Sequence, residues 1–546
     1  MARHMRSGDV ELRRPLLLTG DHLEPNELDS DEGEIIFDRS SSNNGHEAGG
    51  SAPRRISYEE AMEETGFGLF HWLLLVICGW ANASDAVEIL CVSFLLPTAR
   101  CDLLLSSSDM GLLTASIFLG MMVGGYVWGY LADQRGRRRV LVVSLTVNGV
   151  FGVLSSLSPW FWLLLLLRFI SGIGVGGSIP VVFSYFSEFM PRRRRGTMIS
   201  ALATFWMAGN ILAAGLAWLV IPRTWAHFSL GTLDFQSWRL FVALCSLPGL
   251  TSALLFRLLM PESPKFLMEA DREKEAIHVF RLMFELNMRG KGKSFPEFGL
   301  CTNSKQKRDM EDKLWASRRE QLASILKKGL APIKQMFHDS LKTRSFALLI
   351  IFYCISFGYY GLWMWFPELF SRIEEGGSPC GNVSVPYSLH NNSCYPVKTA
   401  VYKEGFAIAV SNLPGNIFTI LMMDRVGGKS LLSGSLVVSS LSVFLIYMVQ
   451  TKTQSLILSC VFSCVSVITW NALDVVGTEL YPTQLRSTAL GFFTGMGRVA
   501  AIMGNIVFGK LVDTNCAVPV LLVSALLLTG GLVALLLPQT RQTELT

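Results

Sequence analysis

Apolar blocks of about 20 residues, separated by short polar segments, dominate the chain from residue 71 onward. A helix of about 20 apolar residues is long enough to cross the ~30 Å hydrocarbon core of a bilayer. Six blocks precede a polar middle segment, and six follow it. Their approximate bounds are 71–97, 110–131, 140–158, 160–186, 198–221 and 239–260, then 346–369, 401–423, 430–450, 454–478, 487–509 and 516–538. The pattern predicts an all-α membrane protein with twelve transmembrane helices in two six-helix halves.

Polar segments set the expected domain boundaries. We predict six-helix bundles over 67–260 and 346–538, joined by a cytosolic linker over 261–345. Cytosolic tails are expected at 1–66 and 539–546. The longer tail is acidic, rich in Ser and Gly and poor in aromatic residues, so we expect it to be disordered. Its string "ELRRPLLL" (11–18) either binds vesicle-sorting adaptors or other vesicle proteins, or matches such a signal by chance.

Charge is sparse and concentrated in loops. Only 17% of the 546 residues are charged, against about 25% in soluble domains. The net charge of +5 comes largely from short loops such as "DQRGRRR" (133–139) and "PRRRRG" (191–196). Lys and Arg collect in cytosolic loops, so these loops indicate topology and no nucleic-acid partner. Both termini should therefore be cytosolic.

Enzyme chemistry is not indicated. The chain shows no nucleophile–base pair, phosphate-binding loop or metal-ligand cluster, so we expect no cofactor and no metal. Gly172, Gly174 and Gly177 do have the spacing G-x-G-x-x-G. A dinucleotide fingerprint must follow a strand, whereas these glycines lie inside a span, where small residues allow close helix packing.

The loop over 371–400 has the marks of a lumenal or extracellular segment. It contains two glycosylation acceptors, Asn382 and Asn391. It also contains Cys380 and Cys394, which we predict form a disulfide, since disulfides persist on that side of the membrane. Cysteines, acceptors and charge bias therefore predict the same topology.

An internal repeat relates the two halves. "GYLADQRGRRR" (129–139) aligns with "LMMDRVGGKS" (421–430) at an offset of 424 − 133 = 291. "SEFMPRRRRGT" (187–197) aligns with "TELYPTQLRST" (478–488) at 479 − 188 = 291. Two independent motifs with one offset indicate a duplicated six-span unit, and six-span repeats bind substrate near the midplane between them.

The repeated motifs are candidate gating elements. Glycine allows close approach of helix ends, and an acid can pair with loop arginines. We expect ion pairs between helices, such as Glu188–Arg195 and Glu479–Arg486, to hold one face shut; static topology anchors are the alternative. The gating candidates are Gly129, Asp133, Gly136, Arg137, Glu188, Arg195, Asp424, Glu479 and Arg486.

These strings resemble a known family. "GYLADQRGRRR" is similar to the signature loop of the major facilitator superfamily. "LGMMVGGYVWGYLAD" (119–133), "GIGVGGSIPVVFSYFSEF" (172–189), "FGYYGLWMWFPEL" (357–369) and "WNALDVVGTELYP" (470–482) resemble the synaptic vesicle glycoprotein 2 family and the synaptic vesicle 2-related proteins. The resemblance implies a major facilitator fold in a synaptic or secretory vesicle membrane, with the plasma membrane as the alternative. The large lumenal domain of those glycoproteins is replaced here by the short loop.

Asp85 and Glu88 in "NASDAVEIL" are the first candidate site. Their spacing puts both on one face of a helix inside an apolar span. Acids at that depth are costly and can exchange protons or bind a cation. The resemblance supports a coupling or substrate site, while a structural pair satisfied by neighbouring helices is the alternative. Arg168 pairs with one of them or with an anionic solute, or extends its head to water.

Aromatic and polar residues in spans five, seven and ten are the second candidate site. Aromatic faces with a few polar groups suit a small organic molecule; lipid contact or helix packing is the alternative. The resemblance places Trp206, Tyr359, Tyr360, Trp470 and Asp474 along the central cavity, and Asn471 lies beside them.

Two functions follow. The first is secondary-active or facilitative transport of a small organic solute by alternating access, with protons as a candidate driving ion. The second is a transporter-like scaffold, regulator or ligand receptor of vesicles that transports nothing.

Overall fold

The computed structural model describes residues 54–538 except 232, 290–291, 293, 297, 301–330, 332, 339–340, 377–397 and 482. Within these residues, twelve helical segments are long and apolar enough to cross a membrane, as predicted. The first half contains α2 (Leu69–Asp102), α3 (Ser107–Arg135), α4 (Arg137–Ser155), α5 (Phe161–Ser187), α6 (Arg195–Val220) and α7 (Ser237–Leu259), preceded by β1 (Arg54–Ile56) and α1 (Tyr58–Glu64). The hairpin β2 (Phe228–Leu230) and β3 (Leu233–Phe235) joins α6 to α7.

The middle segment forms α8 (Pro264–Glu269), α9 (Glu273–Asn287) and β4 (Phe298–Leu300). The second half contains α10 (Lys342–Gly376), α11 (Thr399–Val410), α12 (Asn412–Val426), α13 (Gly428–Met448), α14 (Lys452–Glu479), α15 (Thr483–Asn515) and α16 (Ala517–Ala534). The eighth span is α11 and α12 together.

The two halves repeat one packing pattern. In the first, α4 packs against α5 and α7; in the second, the equivalent α13 packs against α14 and α16. Gly136 and Gly427, which are 291 residues apart, both end a helix with a positive φ, +96° and +90°. This left-handed conformation favours glycine, so the duplication extends to the turn geometry.

Helix α5 approaches α3 closely enough that only glycine fits. A Cβ atom added to Gly176 would lie 2.1 Å from the Met121 carbonyl oxygen, and one added to Gly172 would lie 2.5 Å from that of Ile117. From α3, a Cβ atom on Gly124 would lie 2.1 Å from the Ile173 carbonyl oxygen. The glycine string of α5 therefore packs helices.

The arginine-rich loops 133–139 and 191–196 lie at one end of the first half, which we call the arginine-loop end. A cap formed by β1, α1, α9 and β4 covers this end. Strand β1 pairs in parallel with β4, and α1 packs on α9. The Asn287 side chain accepts from the Phe70 N–H and donates to the carbonyls of Thr65 and Gly66. The disordered tail predicted up to residue 66 therefore ends earlier, because residues 54–64 bury Ile56, Ala61 and Met62 in a hydrophobic cluster.

The halves touch mainly at the far end, meaning the end of the helices remote from the arginine loops. There α3 crosses α15, and a Cβ atom on Gly509 would lie 2.7 Å from the Gly111 Cα. Toward the arginine loops, a Cβ atom on Gly129 would meet nothing within 4 Å, and Glu479 is exposed. Gly129 of the first half and Glu479 of the second are therefore left uncovered near the arginine loops; we call the space between the halves on that side the hollow.

Candidate functional site

Asp85 is completely buried on α2 and faces α5. The Ser178 hydroxyl lies 2.7 Å from both carboxylate oxygens of Asp85. Among the described residues, no cation pairs with Asp85. A hydroxyl group can donate to a carboxylate and accept from a protonated carboxyl group, so this contact is compatible with either form.

Glu88, one turn along α2, forms an ion pair with Arg168 of α5. The Ser171 hydroxyl donates to the same carboxylate oxygen at 3.0 Å. The other oxygen of Glu88 has no hydrogen-bond partner among the described residues. Both members of the pair are at most 1% exposed, so Arg168 does not extend to water.

The sequence correctly predicted that Asp85 and Glu88 share one helix face, but it did not predict which residues surround them. All their hydrogen-bonding partners among the described residues lie in the first half, so the acids face the interior of one bundle rather than the second half. Sequence reasoning overlooked Ser171 and Ser178. They were detectable, because Arg168, Ser171 and Ser178 share one face of α5 at helical spacing.

The aromatic candidates of the second half form one cluster. The ring of Trp470 lies 6.1 Å from that of Tyr359 and 5.8 Å from that of Tyr360. Phe118 of the first half lies 5.0 Å from Tyr360, so the cluster reaches across the hollow. The buried indole nitrogen of Trp470 has no partner among the described residues. A buried donor of this kind can bind a polar ligand or water.

Asp474 lies one turn after Trp470 and is exposed. Thr469, five residues earlier, donates to Ser435 of α13 at 2.8 Å. Five helical residues rotate by about 140° net, so Asp474 lies on a different side of α14 from Thr469, on the side that carries Trp470. The Asn471 amide donates to Asn416 of α12 at 2.9 Å.

Arg498 of α15 adds a cation to this wall, since its guanidinium lies 5.8 Å from the ring centre of Tyr360. Trp206 of α6 is half-buried and makes no ring contact with the cluster in the described part of the chain. The structure therefore groups the candidates of spans seven and ten and leaves Trp206 apart.

Glu188 is the centre of a charge network at the arginine-loop end. Arg137 pairs with its carboxylate at 2.7 Å, and Ser263 donates to the other oxygen. The Tyr58 hydroxyl of the cap donates to the Glu188 carbonyl. The predicted Glu188–Arg195 pair is not formed, because Arg195 instead pairs with Glu59 of the cap at 3.3 Å.

Glu262 joins the same network from the loop before α8. Its carboxylate accepts from the backbone N–H groups of Arg138 and Ser263, each at 3.0 Å. A Cβ atom on Gly136 would lie 2.5 Å from that carboxylate, so Gly136 is needed for this close approach. The side chains of Asp133, Asp424 and Arg486 lie outside the described residues, and Glu479 is exposed.

Burial raises the pKa of Glu188 to about 7 from 4.5, outweighing the lowering by Arg137. The folded protein then binds a proton that the unfolded chain releases above pH 4.5. The stability of the folded protein should therefore fall by about 3 kcal/mol between pH 4.5 and pH 7 and stay constant above pH 7.

We expect Glu188→Gln to remove most of this loss of stability with pH, measured as the melting temperature of the purified protein at pH 5 and pH 8. Glu63 is an exposed acid of α1, so Glu63→Gln should keep the same loss of stability with pH as the wild type. If Glu188→Gln also keeps that loss, the pH dependence does not come from Glu188.

Cys101 and Cys516 are both disulfide-bonded and lie at the far end, in the last turn of α2 and between α15 and α16. Sequence reasoning did not separate these two cysteines from the buried cysteines of the spans. The predicted Cys380–Cys394 bridge and the acceptors Asn382 and Asn391 lie outside the described residues.

Comparison with known proteins agrees with this architecture. Residues 73–390 match the model of the Major Facilitator Superfamily. Synaptic vesicle glycoprotein 2C of Rattus norvegicus is 32% identical over 89% of this chain and 80% of its own. Synaptic vesicle glycoprotein 2B of Homo sapiens is also 32% identical, over 89% of this chain and 86% of its own.

A solved structure shares the fold. The xylose transporter XylE from E. coli, in a partially occluded inward-open conformation, superimposes with a TM-score of 0.63 at 17% identity. The match covers 87% of this chain and 99% of that one. The protein therefore belongs to the synaptic vesicle glycoprotein 2 family of the major facilitator superfamily and is a multi-pass membrane protein with a transporter fold.

Proposed function

We propose that this protein transports a small polar organic solute across a vesicle membrane by alternating access, driven by protons. The observation that carries the proposal is the aromatic cluster at Tyr359, Tyr360 and Trp470, which borders a hollow between two matching bundles. Major facilitator proteins bind substrates at this position between the halves.

The solute site combines ring faces with a few polar groups. Trp470 contributes an indole N–H that has no partner among the described residues, Asp474 a carboxylate and Arg498 a guanidinium. Such a site favours a solute with a flat or apolar body and one or two hydrogen-bonding groups. Asn471 holds the wall in place through Asn416.

Proton coupling is assigned to Asp85, while Glu88 is engaged in its ion pair with Arg168. Asp85 is buried at membrane depth with a hydroxyl partner and, among the described residues, no cation. Neutralising it with a proton removes a costly buried charge, and releasing the proton restores it. Because α2 belongs to the first half, this change can bias how that half packs against the second.

The arginine-loop end is assigned to the cytosol and the far end to the vesicle lumen. The arginine loops follow the positive-inside rule. Disulfide-bonded Cys101 and Cys516 at the far end fit an oxidising compartment. The vesicle location follows the named relatives, synaptic vesicle glycoproteins 2B and 2C.

The proposal predicts two separable transport defects in proteoliposomes. With solutes first selected by thermal stabilisation of the purified protein, we expect a pH gradient to drive accumulation in the wild type. Asp85→Asn should lose accumulation above equilibrium yet still equilibrate solute. Trp470→Ala should lower uptake at least tenfold with or without a gradient, because it removes a ring and a donor from the site.

Trp225→Ala is the matched control, since this tryptophan is 70% exposed and lies outside the hollow. Its uptake should equal that of the wild type. Equal accumulation by Asp85→Asn and the wild type would refute proton coupling through Asp85. Uptake that survives Trp470→Ala unchanged would refute the solute site.

A further inference from the structure

Two arginines and two carboxylates form a cluster at the far end. Arg100 at the end of α2 pairs with Glu368 of α10 at 2.6 Å. Arg372, one turn after Glu368, pairs with the same carboxylate oxygen at 3.0 Å and with Asp513 of α15 at 2.8 Å. Glu368 is completely buried. Among the described residues, this cluster contains two positive and two negative side chains.

This cluster crosses the boundary between the halves twice. Arg100 belongs to the first half and Glu368 to the second. Arg372 of the second half also donates to the Ser107 hydroxyl at the start of α3, at 2.9 Å. Further along the boundary, the Ser93 hydroxyl donates to the Met364 carbonyl at 2.7 Å. Polar contacts between the halves therefore concentrate where the hollow is closed.

Sequence reasoning overlooked these residues because Arg100 and Arg372 look like ordinary charges at span ends. A signal was present in Glu368, an acid within the predicted seventh span. Charge at such a position needs a partner, and Arg372 stands four residues later on the same helix face.

We propose that Glu368 is a positioning residue for transport, and that its contact with Arg100 is a reversible clamp holding the far end closed. Its reversibility follows from the partners that each group keeps. When the halves part, Glu368 retains Arg372, and Arg372 retains Asp513 within the second half. Arg100 is already 23% exposed and moves into water. Within the described part of this cluster, opening therefore leaves each buried charge with a partner.

The Glu88–Arg168 pair lacks these properties, which marks it as a different kind of contact. Both of its groups are at most 1% exposed and lie within one half. Separating them would leave two bare charges in the bundle, which is strongly unfavourable. Of these two buried acid–arginine pairs, the pair at Glu368 is the one that can break in each transport cycle.

The clamp is tested by amide hydrogen exchange on the full-length purified protein, without solute. We expect Glu368→Gln to raise exchange at least tenfold at the start of α3, residues 107–111. The same variant should lower exchange at the opposite end of α3, residues 126–130, because the hollow there closes as the far end opens. Local loosening alone would raise the first and leave the second unchanged.

Glu404→Gln is the matched control. Glu404 is buried near the same end but pairs at 2.7 Å with Lys452 of its own half, so exchange at both ends of α3 should stay as in the wild type. Arg100→Gln should reproduce the opposed changes of Glu368→Gln, and it gives the same test if Glu368→Gln does not fold.

The clamp would be overturned if Glu368→Gln left exchange unchanged or raised it at the far end alone. It would also be overturned if Glu404→Gln changed exchange as much as Glu368→Gln does. The role in transport rests on the proposed alternating access. The clamp itself does not, because exchange reports the packing of the halves whether or not a solute moves.

Discussion

Arg168→Gln should lower the stability of the protein by about 3–5 kcal/mol. The change leaves the Glu88 carboxylate buried without a cation, and breaking a buried ion pair from one side has this cost. Ser171 would still donate to one oxygen, which is too little to replace a charge. We expect a melting temperature lower by on the order of 10 °C in detergent-purified protein.

The double variant Glu88→Gln/Arg168→Gln should recover most of that loss, because it removes both charges together. Arg195→Gln serves as a comparison with an exposed pair. Arg195 and Glu59 are 34% and 47% exposed, so this change should cost less than about 1 kcal/mol. Wild-type stability in Arg168→Gln, or a double variant weaker than the single one, would show that the pair does not hold α2 to α5.

Gly176→Ala should be comparably severe, although it adds a single methyl group. Its Cβ atom would lie 2.1 Å from the carbonyl oxygen of Met121 and 2.5 Å from that residue's Cα. These are backbone atoms of α3, so no side chain can move aside and the helices must separate. Overpacking of a core costs about 1–3 kcal/mol, and more when backbone must shift. We expect reduced monodispersity on size-exclusion chromatography and a lower melting temperature.

Gly129→Ala makes the same chemical change on α3 where a Cβ atom meets nothing within 4 Å. Alanine is a better helix former than glycine by about 1 kcal/mol, so this variant should be as stable as the wild type or more so. The opposite signs of the two substitutions separate a packing effect from a propensity effect. Equal stability of the two variants would mean that α3 and α5 are not in close contact.

Hydropathy and repetition were sufficient to predict the fold. Twelve apolar blocks became twelve spans, because a backbone in hydrocarbon must satisfy its own hydrogen bonds and does so as helix. The 291-residue offset predicted two equivalent halves, and Gly136 and Gly427 indeed share a backbone conformation. The glycine string of α5 was correctly attributed to packing, since a nucleotide-binding turn needs a preceding strand.

Partner choice could not be predicted from spacing alone. From the sequence, Asp85, Glu88 and an anionic solute were all possible partners of Arg168. In the fold, Arg168 pairs with Glu88. The sequence suggested that Glu188 pairs with Arg195. In the fold, Glu188 pairs with Arg137, and Arg195 pairs with Glu59. Long side chains near one another in sequence can reach several acids, and only the packing of distant helices decides which acid is nearest.

Three properties could be read from the sequence without the fold: which residues lie inside the membrane, how many times the chain crosses it, and which helix faces carry charge. These properties depend on the composition and the hydrophobic periodicity of contiguous segments of the chain. The fold was needed to show that residues 54–64 cap the first half, that Asp85 contacts Ser178, and that Arg100 pairs with Glu368. Those contacts join residues up to hundreds of positions apart, and they follow from how whole helices pack against one another.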